Sequence, residues 1–190
     1  MESSKQLERG LMGEKIISEV LQKYLPSYYR IIDDIFVRTE DFEMTQVDHL
    51  LIHPQFIVCI ETKNLSGALS SVDEEVWEQK NYKGEVYSMN SPQLQSLTHT
   101  MHLTSFLTSM SITIPIYSVV VLLSNKVCQF DVKSDMYYQD KCPVLYGKEL
   151  VPFVLKKEKE LQEKGHLFDV QEVTNLLISE HQGIMDSPLI

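Results

Sequence analysis

Two carboxylates and an ammonium interrupt otherwise apolar sequence in VDHLLIHPQFIVCIETKN (residues 47–64): Asp48, Glu61 and Lys63. Side chains alternate along a strand, so Ile57, Cys59, Glu61 and Lys63 share one face while Phe56, Val58, Ile60 and Thr62 take the other. If Pro54-Gln55 is a two-residue turn, His53 faces Phe56, and Asp48 comes opposite Glu61 on the same face. A three-residue turn would move Asp48 off it. Two like charges about 5 Å apart, at an effective dielectric near 20, repel by on the order of 3 kcal/mol. The single ammonium of Lys63 cannot neutralise both anions. A divalent cation can, and the hard oxygens of Asp, Glu and main-chain carbonyls suit Mg²⁺ or Mn²⁺. The bland counterpart is an inert ion pair in which Lys63 merely screens Glu61.

A third acid comes from the N-terminal helix. Heptad counting from Leu7 reaches Glu14 and then Leu21, which puts this carboxylate within the apolar stripe; Gly10 and Gly13 beside it would let the helix approach a sheet closely, so Glu14 can lean over the same site. Gln46 shares the parity of Asp48 and would line the rim, whereas His49 points to the opposite strand face and reads as structural. Further along, Gln95, His99, His102 and Phe106 fall on one helix stripe that could face the cleft. Two His a turn apart can bind zinc, but no third ligand stands near them in sequence. Trp77 could stack on a base, although a lone Trp more often packs on a hairpin face. Lys80 and Lys83 flank it as candidate phosphate contacts, in a field weakened by Asp73, Glu74, Glu75 and Glu78.

The elements that must position these groups can be read from periodicity and turn chemistry. A helical repeat runs over residues 6–25 with Leu7, Leu11, Ile17, Leu21 and Tyr24 on one stripe and Pro26 ending it. A strand over 29–38 carries two acids at its middle, the acidic loop TEDFEM follows, and the hairpin occupies 46–53 and 56–63. VWEQKNY and GEVYS read as short strands around a Lys83-Gly84 turn. Ser91-Pro92 is a helix start, Ser as N-cap and Pro at the first helical position, and the helix should run to about Met110 with Leu94, Leu97, Met101 and Leu107 as its apolar stripe and Asn90 closing the turn before it. IYSVVVLLS (116–124) is continuous and β-branched, as a strand covered on both faces would be. Short strands follow near 127–132 and 144–146, and the tail from Lys148 reads as one or two helices interrupted at Gly165. The expected fold is α/β, a mixed central sheet flanked by helices.

The chain of 190 residues suits one domain with a helical appendage, and 43% hydrophobic with 23% charged residues is the composition of a globular protein. No apolar run is long enough to span a bilayer and no export signal is recognisable, so a cytoplasmic protein with no membrane contact is expected. Cys59, Cys128 and Cys142 lack CxxC spacing, which implies neither a disulfide framework nor a zinc ribbon. A formal charge of −10 argues against loose attraction to polyanions; contact with nucleic acid would need a local basic patch or a bound cation. There is no P-loop and no Gly-rich dinucleotide fingerprint.

GLMGEK, TQVDHLLIHPQFIVCIETKNLSG, the Trp77 segment and NSPQLQSLTHTMHL together resemble the nuclease-related domain (NERD) family of the PD-(D/E)XK phosphodiesterase superfamily, over about residues 7–124. The resemblance implies a restriction-endonuclease-like core and fades beyond about Lys126; a nuclease-like domain over residues 1–150 is expected, with 151–190 as a helical extension packed on the same domain. It also implies that Asp48 and Glu61, with the carbonyl of Thr62, bind Mg²⁺ or Mn²⁺, that Lys63 positions or activates the attacking water, that Glu14 supplements the metal site and that Gln95 borders it. Substrate contacts are expected from Gln46, Lys80, Lys83 and His99. The function so implied is metal-dependent hydrolysis of phosphodiester bonds, with DNA as the expected partner in a DNA-processing role. The alternative is a non-catalytic module of the same shape that binds nucleic acid or a protein.

Overall fold

The computed structural model describes residues 2–38, 44–123, 129–131, 138–161 and 167–187. Helix α1 (Glu2–Tyr24) precedes β1 (Arg30–Arg38), β2 (Met44–His53) and β3 (Phe56–Asn64). Three short strands follow, β4 (Ala68–Ser71), β5 (Val76–Lys80) and β6 (Val86–Asn90), and α2 (Pro92–Ser109) leads to β7 (Ile116–Leu123). The chain ends with β8 (Gln129–Asp131), β9 (Val144–Tyr146), α3 (Gly147–Leu161) and α4 (Val170–Met185). The main sheet has the order β1-β2-β3-β7-β9 and a smaller one the order β6-β5-β4-β8. Strands β1, β2 and β3 are antiparallel neighbours, while β7 runs parallel to β3. This is the expected mixed α/β architecture.

Pro54-Gln55 is the two-residue turn, since His53 pairs with Phe56 and the ladder continues in step to His49 opposite Ile60. One further step brings Asp48 opposite Glu61, as the alternation predicts. The register is pinned because both faces of the sheet are covered, and a slip of one residue would exchange two cores. On one face Leu50, Ile57 and Cys59 pack with Leu103 and Phe106 of α2 and Leu177 of α4. On the other, Phe56, Val58 and Ile60 pack with Ile17 and Leu21 of α1 and Val154 of α3. Each such side chain, fully removed from water, contributes about 1.5–3 kcal/mol. The N-cap on α2 is also as predicted: the Ser91 hydroxyl accepts from the Leu94 N–H.

Two helical stripes depart from the expected ones. Ile17 and Leu21 are fully buried, but Leu7, Leu11 and Tyr24 are 66%, 56% and 58% exposed. The sheet stops beneath the helix: a Cβ on Gly13 would lie 2.7 Å from that of Asn64, the last residue of β3, so the turns before Gly13 overhang the strand end. In α2, Met101 is exposed and the buried face carries Gln93, Ser96 and His99 ahead of Leu103 and Phe106. Small or hydrogen-bonded polar groups let this helix lie close to the sheet, with Gln93 Nε2 donating to the Cys142 carbonyl at 2.7 Å and Ser96 Oγ to that of Val119 at 3.5 Å.

Trp77 is fully buried in a third core with Leu69 and Leu122, which excludes it from stacking on a base. The TEDFEM loop (39–44, all but its last residue), Cys128, Gly165 and the ends of the strand expected at 127–132 lie outside the described residues, and β8 is its middle. Among the described residues no helix is long and apolar enough to cross a membrane.

Candidate active site

Glu61 reaches the sheet's α2 face nearly water-free, 1% exposed. Its Oε1 accepts from the Lys63 ammonium, which also donates to Gln95 Oε1 on α2 at 3.2 Å. The second oxygen, Oε2, lies 3.3 Å from His99 Nε2, yet the two are not aligned for a hydrogen bond and neither completes one. His99 is itself anchored through Nδ1 to the Thr45 hydroxyl at the start of β2. Alternation on β3 and one helical turn of α2 thus deliver Glu61, Lys63, Gln95 and His99 to one point. Of the stripe expected to face the cleft, Gln95 and His99 do so, whereas Phe106 is buried in the core and His102 is half-buried.

Asp48 stands beside this pair, and its Oδ2 accepts from the Thr62 N–H at 2.7 Å. Burial first, then the negative charge of Glu61, pushes its carboxyl up to about 6, although the Thr62 N–H and Lys63 pull the other way. Glu14 is shifted upward too, by burial and by Asp34 and Glu61, with His49 and Lys63 opposing. Helix α1 therefore brings Glu14 within electrostatic reach of both strand carboxylates. It shares a cleft of about 420 Å³ with Asp48, His49, Asp33 and Asp34. On the other side, a cleft of about 400 Å³ at the start of α2 is bordered by Gln95, His99, Asn90 and Glu75.

The register adds a group the sequence reading missed. Asp33 pairs with His49 and Ile35 with Val47, so Asp34 falls level with Asp48 and Glu61 in a row across three strands. Asp34 leaves that row through a left-handed backbone, φ 53°, a conformation Asp tolerates better than most residues, and its carboxylate accepts from Gln46. Gln46 is accordingly engaged at β1. The signal was the pair of acids at the middle of RIIDDIFVR. His49 faces α1, where its Nδ1 lies 2.7 Å from Asp33 Oδ1, and Ser18 donates to the other oxygen of Asp33 at 2.6 Å. Burial opposes the charge on Asp33, but these hydrogen bonds outweigh it and hold the carboxyl below its ordinary value. Lys80 and Lys83 stand exposed on the β5–β6 hairpin of the second sheet.

Among the described residues, no three His, Cys, Asp or Glu side chains stand gathered as a ready-made metal cage. Mg²⁺ needs no such cage, because it keeps several waters and is commonly bound through one or two carboxylates plus substrate phosphate. The donor chemistry fits: two neighbouring carboxylates, one carrying a buried oxygen without a hydrogen bond, carry more negative charge than Lys63 offsets.

An uncharacterized protein of Bacillus anthracis is 36% identical over 59 residues, which are 31% of this chain and 28% of the relative. The match thus spans under a third of that relative's length. No solved structure matches the chain significantly. Residues 9–123, more than half of the chain, match the nuclease-related domain family. With that match lying over the hairpin, α1 and α2 that assemble the site, the chain belongs to the nuclease-related domain family, within the PD-(D/E)XK-like nuclease superfamily.

Proposed function

We propose that this protein is a metal-dependent nuclease that hydrolyses phosphodiester bonds, with DNA as substrate. One observation carries the reading: a water-free Glu61 with an oxygen lacking a hydrogen bond lies beside an Asp48 whose proton is held up to about 6, an arrangement that a fold without use for it would pair off or replace. Asp48 and Glu61 would hold Mg²⁺ or Mn²⁺, with the Thr62 carbonyl and Glu14 as supplementary donors. When bound, such an ion lowers the pKa of a coordinated water and neutralises charge on the phosphoryl oxygens. Lys63 is tethered by Glu61 and Gln95, so its ammonium is fixed before substrate arrives and can orient the attacking water or meet charge developing on the phosphate. His99, anchored by Thr45, stands behind Glu61 at 3.3 Å without a hydrogen bond to it. The Thr62 N–H keeps the Asp48 carboxylate turned toward its neighbour.

The Lys63–Glu61 contact favours a second reading, a non-catalytic module in which the ion pair is the final state. Isothermal titration with Mg²⁺ and Mn²⁺ separates the two. Saturable binding lost in Asp48→Ala supports the enzyme, and absence of binding by the folded wild type supports the module. Cleavage of supercoiled, linear and single-stranded DNA is expected from the wild type, with a loss of about 10²–10³-fold in Lys63→Ala. Equal degradation by both proteins would trace the activity to a contaminant.

A further inference from the structure

One residue beyond Lys63 the chain leaves the main sheet, and a groove opens between the overhanging start of α1 and the β5–β6 hairpin. It consists of two adjoining cavities of about 540 and 630 Å³ that share Lys5, Arg9, Asn64, Leu65 and Ser66 as lining. Each lies in the range of roughly 300–1,000 Å³ typical of pockets that enclose a small organic ligand. Lys5 and Arg9, one turn apart on α1, are exposed. Among the described residues the ion pairs of Lys and Arg involve Lys15, Lys63, Lys156 and Lys157, and neither Lys5 nor Arg9. Glu8 is the acid in the lining. The opposite wall presents two rings to solvent, Tyr82 (64% exposed) and Tyr87 (49% exposed), with Lys83 next to the first in sequence.

Both walls are braced. Asn64 Nδ2 donates to the Arg9 carbonyl at 2.9 Å, fixing α1 to the end of β3. Gln79 Nε2 donates to the Ser66 carbonyl at 2.6 Å, fixing the hairpin. Between them Gly67 turns at φ 95°, where a Cβ would come within 2.2 Å of the Lys80 carbonyl oxygen, so only glycine lets the hairpin fold back this closely. Unpaired cations along one wall and exposed rings along the other are the elements that hold an unpaired nucleic-acid strand: the cations follow phosphates and the rings stack on bases. A duplex keeps its bases stacked on one another and offers nothing to the rings.

We propose that this groove binds a single strand of nucleic acid, which rounds the end of β3 at Asn64 to reach Glu61 and Lys63 on the other face of that strand, so that the substrate is single-stranded at the point of cleavage. The proposal deepens the nuclease reading and rests on it for the fate of the strand, but not for binding. It also reconciles the formal charge of −10 with a polyanionic ligand, because the contact is local. The test is fluorescence anisotropy in EDTA with a labelled twelve-nucleotide oligothymidylate, the matching oligouridylate and a duplex of equal length. Single strands should bind more tightly than the duplex, the oligothymidylate and the oligouridylate alike, since stacking and phosphate contact are common to both. The double variant Lys5→Glu/Arg9→Glu should bind at least about tenfold more weakly, and its log–log salt slope should be shallower by about 1.4, as two lost phosphate contacts require. Tyr82→Ala should lose on the order of tenfold while Tyr82→Phe retains affinity. Circular dichroism of these surface variants should match the wild type. Equal affinity of the duplex, or unchanged binding by the folded double variant, would overturn the groove. The same oligonucleotide with Mg²⁺ separates the two claims: binding without cleavage sinks the nuclease reading and leaves the groove, whereas cleavage with unaltered affinity in the double variant does the reverse.

Discussion

The β2–β3 hairpin has a carboxylate sunk beside each of its ends, and the two are treated in opposite ways. At the turn, Glu158 of α3 receives the hydroxyls of Tyr28 and Tyr29 at 2.6 and 2.8 Å and sits 3.7 Å from His53 Nε2. Around it Tyr29, His53 and Phe56 pack ring against ring, centroids 4.8 and 4.5 Å apart. Among the described residues, the partners of Glu158 are these neutral or cationic donors. At the open end Glu61 is buried more deeply, at 2% side-chain exposure against 14%, yet it is set beside Asp48 and keeps an oxygen without a hydrogen bond. A fold that can satisfy one partly buried acid this fully has the means to satisfy the other. On the proposed reading, the open end is kept unsatisfied for a cation to complete.

The sharpest way to break this contrast is to neutralise each acid in turn. Glu61→Gln is expected to reduce cleavage by about 10²–10³-fold, because it removes a ligand and the tether of Lys63 together. Glu158→Gln should leave the rate within a few-fold but lower stability by roughly 1 kcal/mol, the cost of disrupting a partly buried hydrogen-bonded acid. Initial cleavage rates on an oligonucleotide, together with urea unfolding of both variants, provide the check. If Glu158→Gln loses activity as Glu61→Gln does, the two ends are not functionally distinct.

A second test reads the frustration directly, in protein stripped of metal. The folded Asp48 carboxyl titrates near 6, above the value of about 3.9 for an unfolded chain, so between those values the folded state holds the proton more firmly. Stability from this group is therefore greatest below about pH 4 and falls as pH rises to about 6, by roughly 2–3 kcal/mol, after which it is constant. Asp48→Asn removes the dependence. The difference between wild-type and variant urea curves, measured in EDTA from pH 4 to 7, should open across that window with the variant becoming the more stable. Mg²⁺ added at pH 7 should restore the wild type alone, by about 2.7 kcal/mol at a hundredfold excess over its dissociation constant.

Local chemistry made the hairpin legible. Pro54-Gln55 suggests a two-residue turn, on which strand alternation places Asp48 opposite Glu61; the three-residue alternative is excluded only by the ladder itself, while Ser91-Pro92 announces α2 by its cap. Helical faces were less so. Leu7 and Leu11 continue a repeat whose partner, the sheet, ends at Asn64, and nothing near them in sequence records where β3 stops. In α2 the buried side was hidden because Gln93, Ser96 and His99 are polar, and their burial depends on main-chain acceptors more than twenty residues away or, for His99, on Thr45. The row of Asp34, Asp48 and Glu61 needed the pairing of β1 with β2, which the first strand's sequence does not specify. Trp77, Lys80 and Lys83 lie on a second sheet that the reading had not separated from the first.

The smallest expected effect concerns the support behind Glu61. Thr45 and His99 are 54 residues apart and meet at the seam between β2 and α2, where both are buried. Glu61 is an acceptor, so the useful tautomer of His99 carries its proton on Nε2, and the Thr45 hydroxyl then donates to Nδ1. Thr45→Val keeps the shape and removes that donor. The ring nitrogen left without a partner should cost about 1 kcal/mol in urea unfolding. His99 would also be free to take the other tautomer, turning a lone pair toward the Glu61 carboxylate. Cleavage should fall by less than tenfold, since Glu61 keeps Lys63, and Thr45→Ser should recover most of both losses. The turn end offers the matching control: Tyr29→Phe removes a hydroxyl from Glu158 at similar cost in stability, but the cleavage rate should not move. A rate loss in Tyr29→Phe equal to that in Thr45→Val would mean that the hairpin transmits any loosening to the site, and that His99 has no special hold on Glu61.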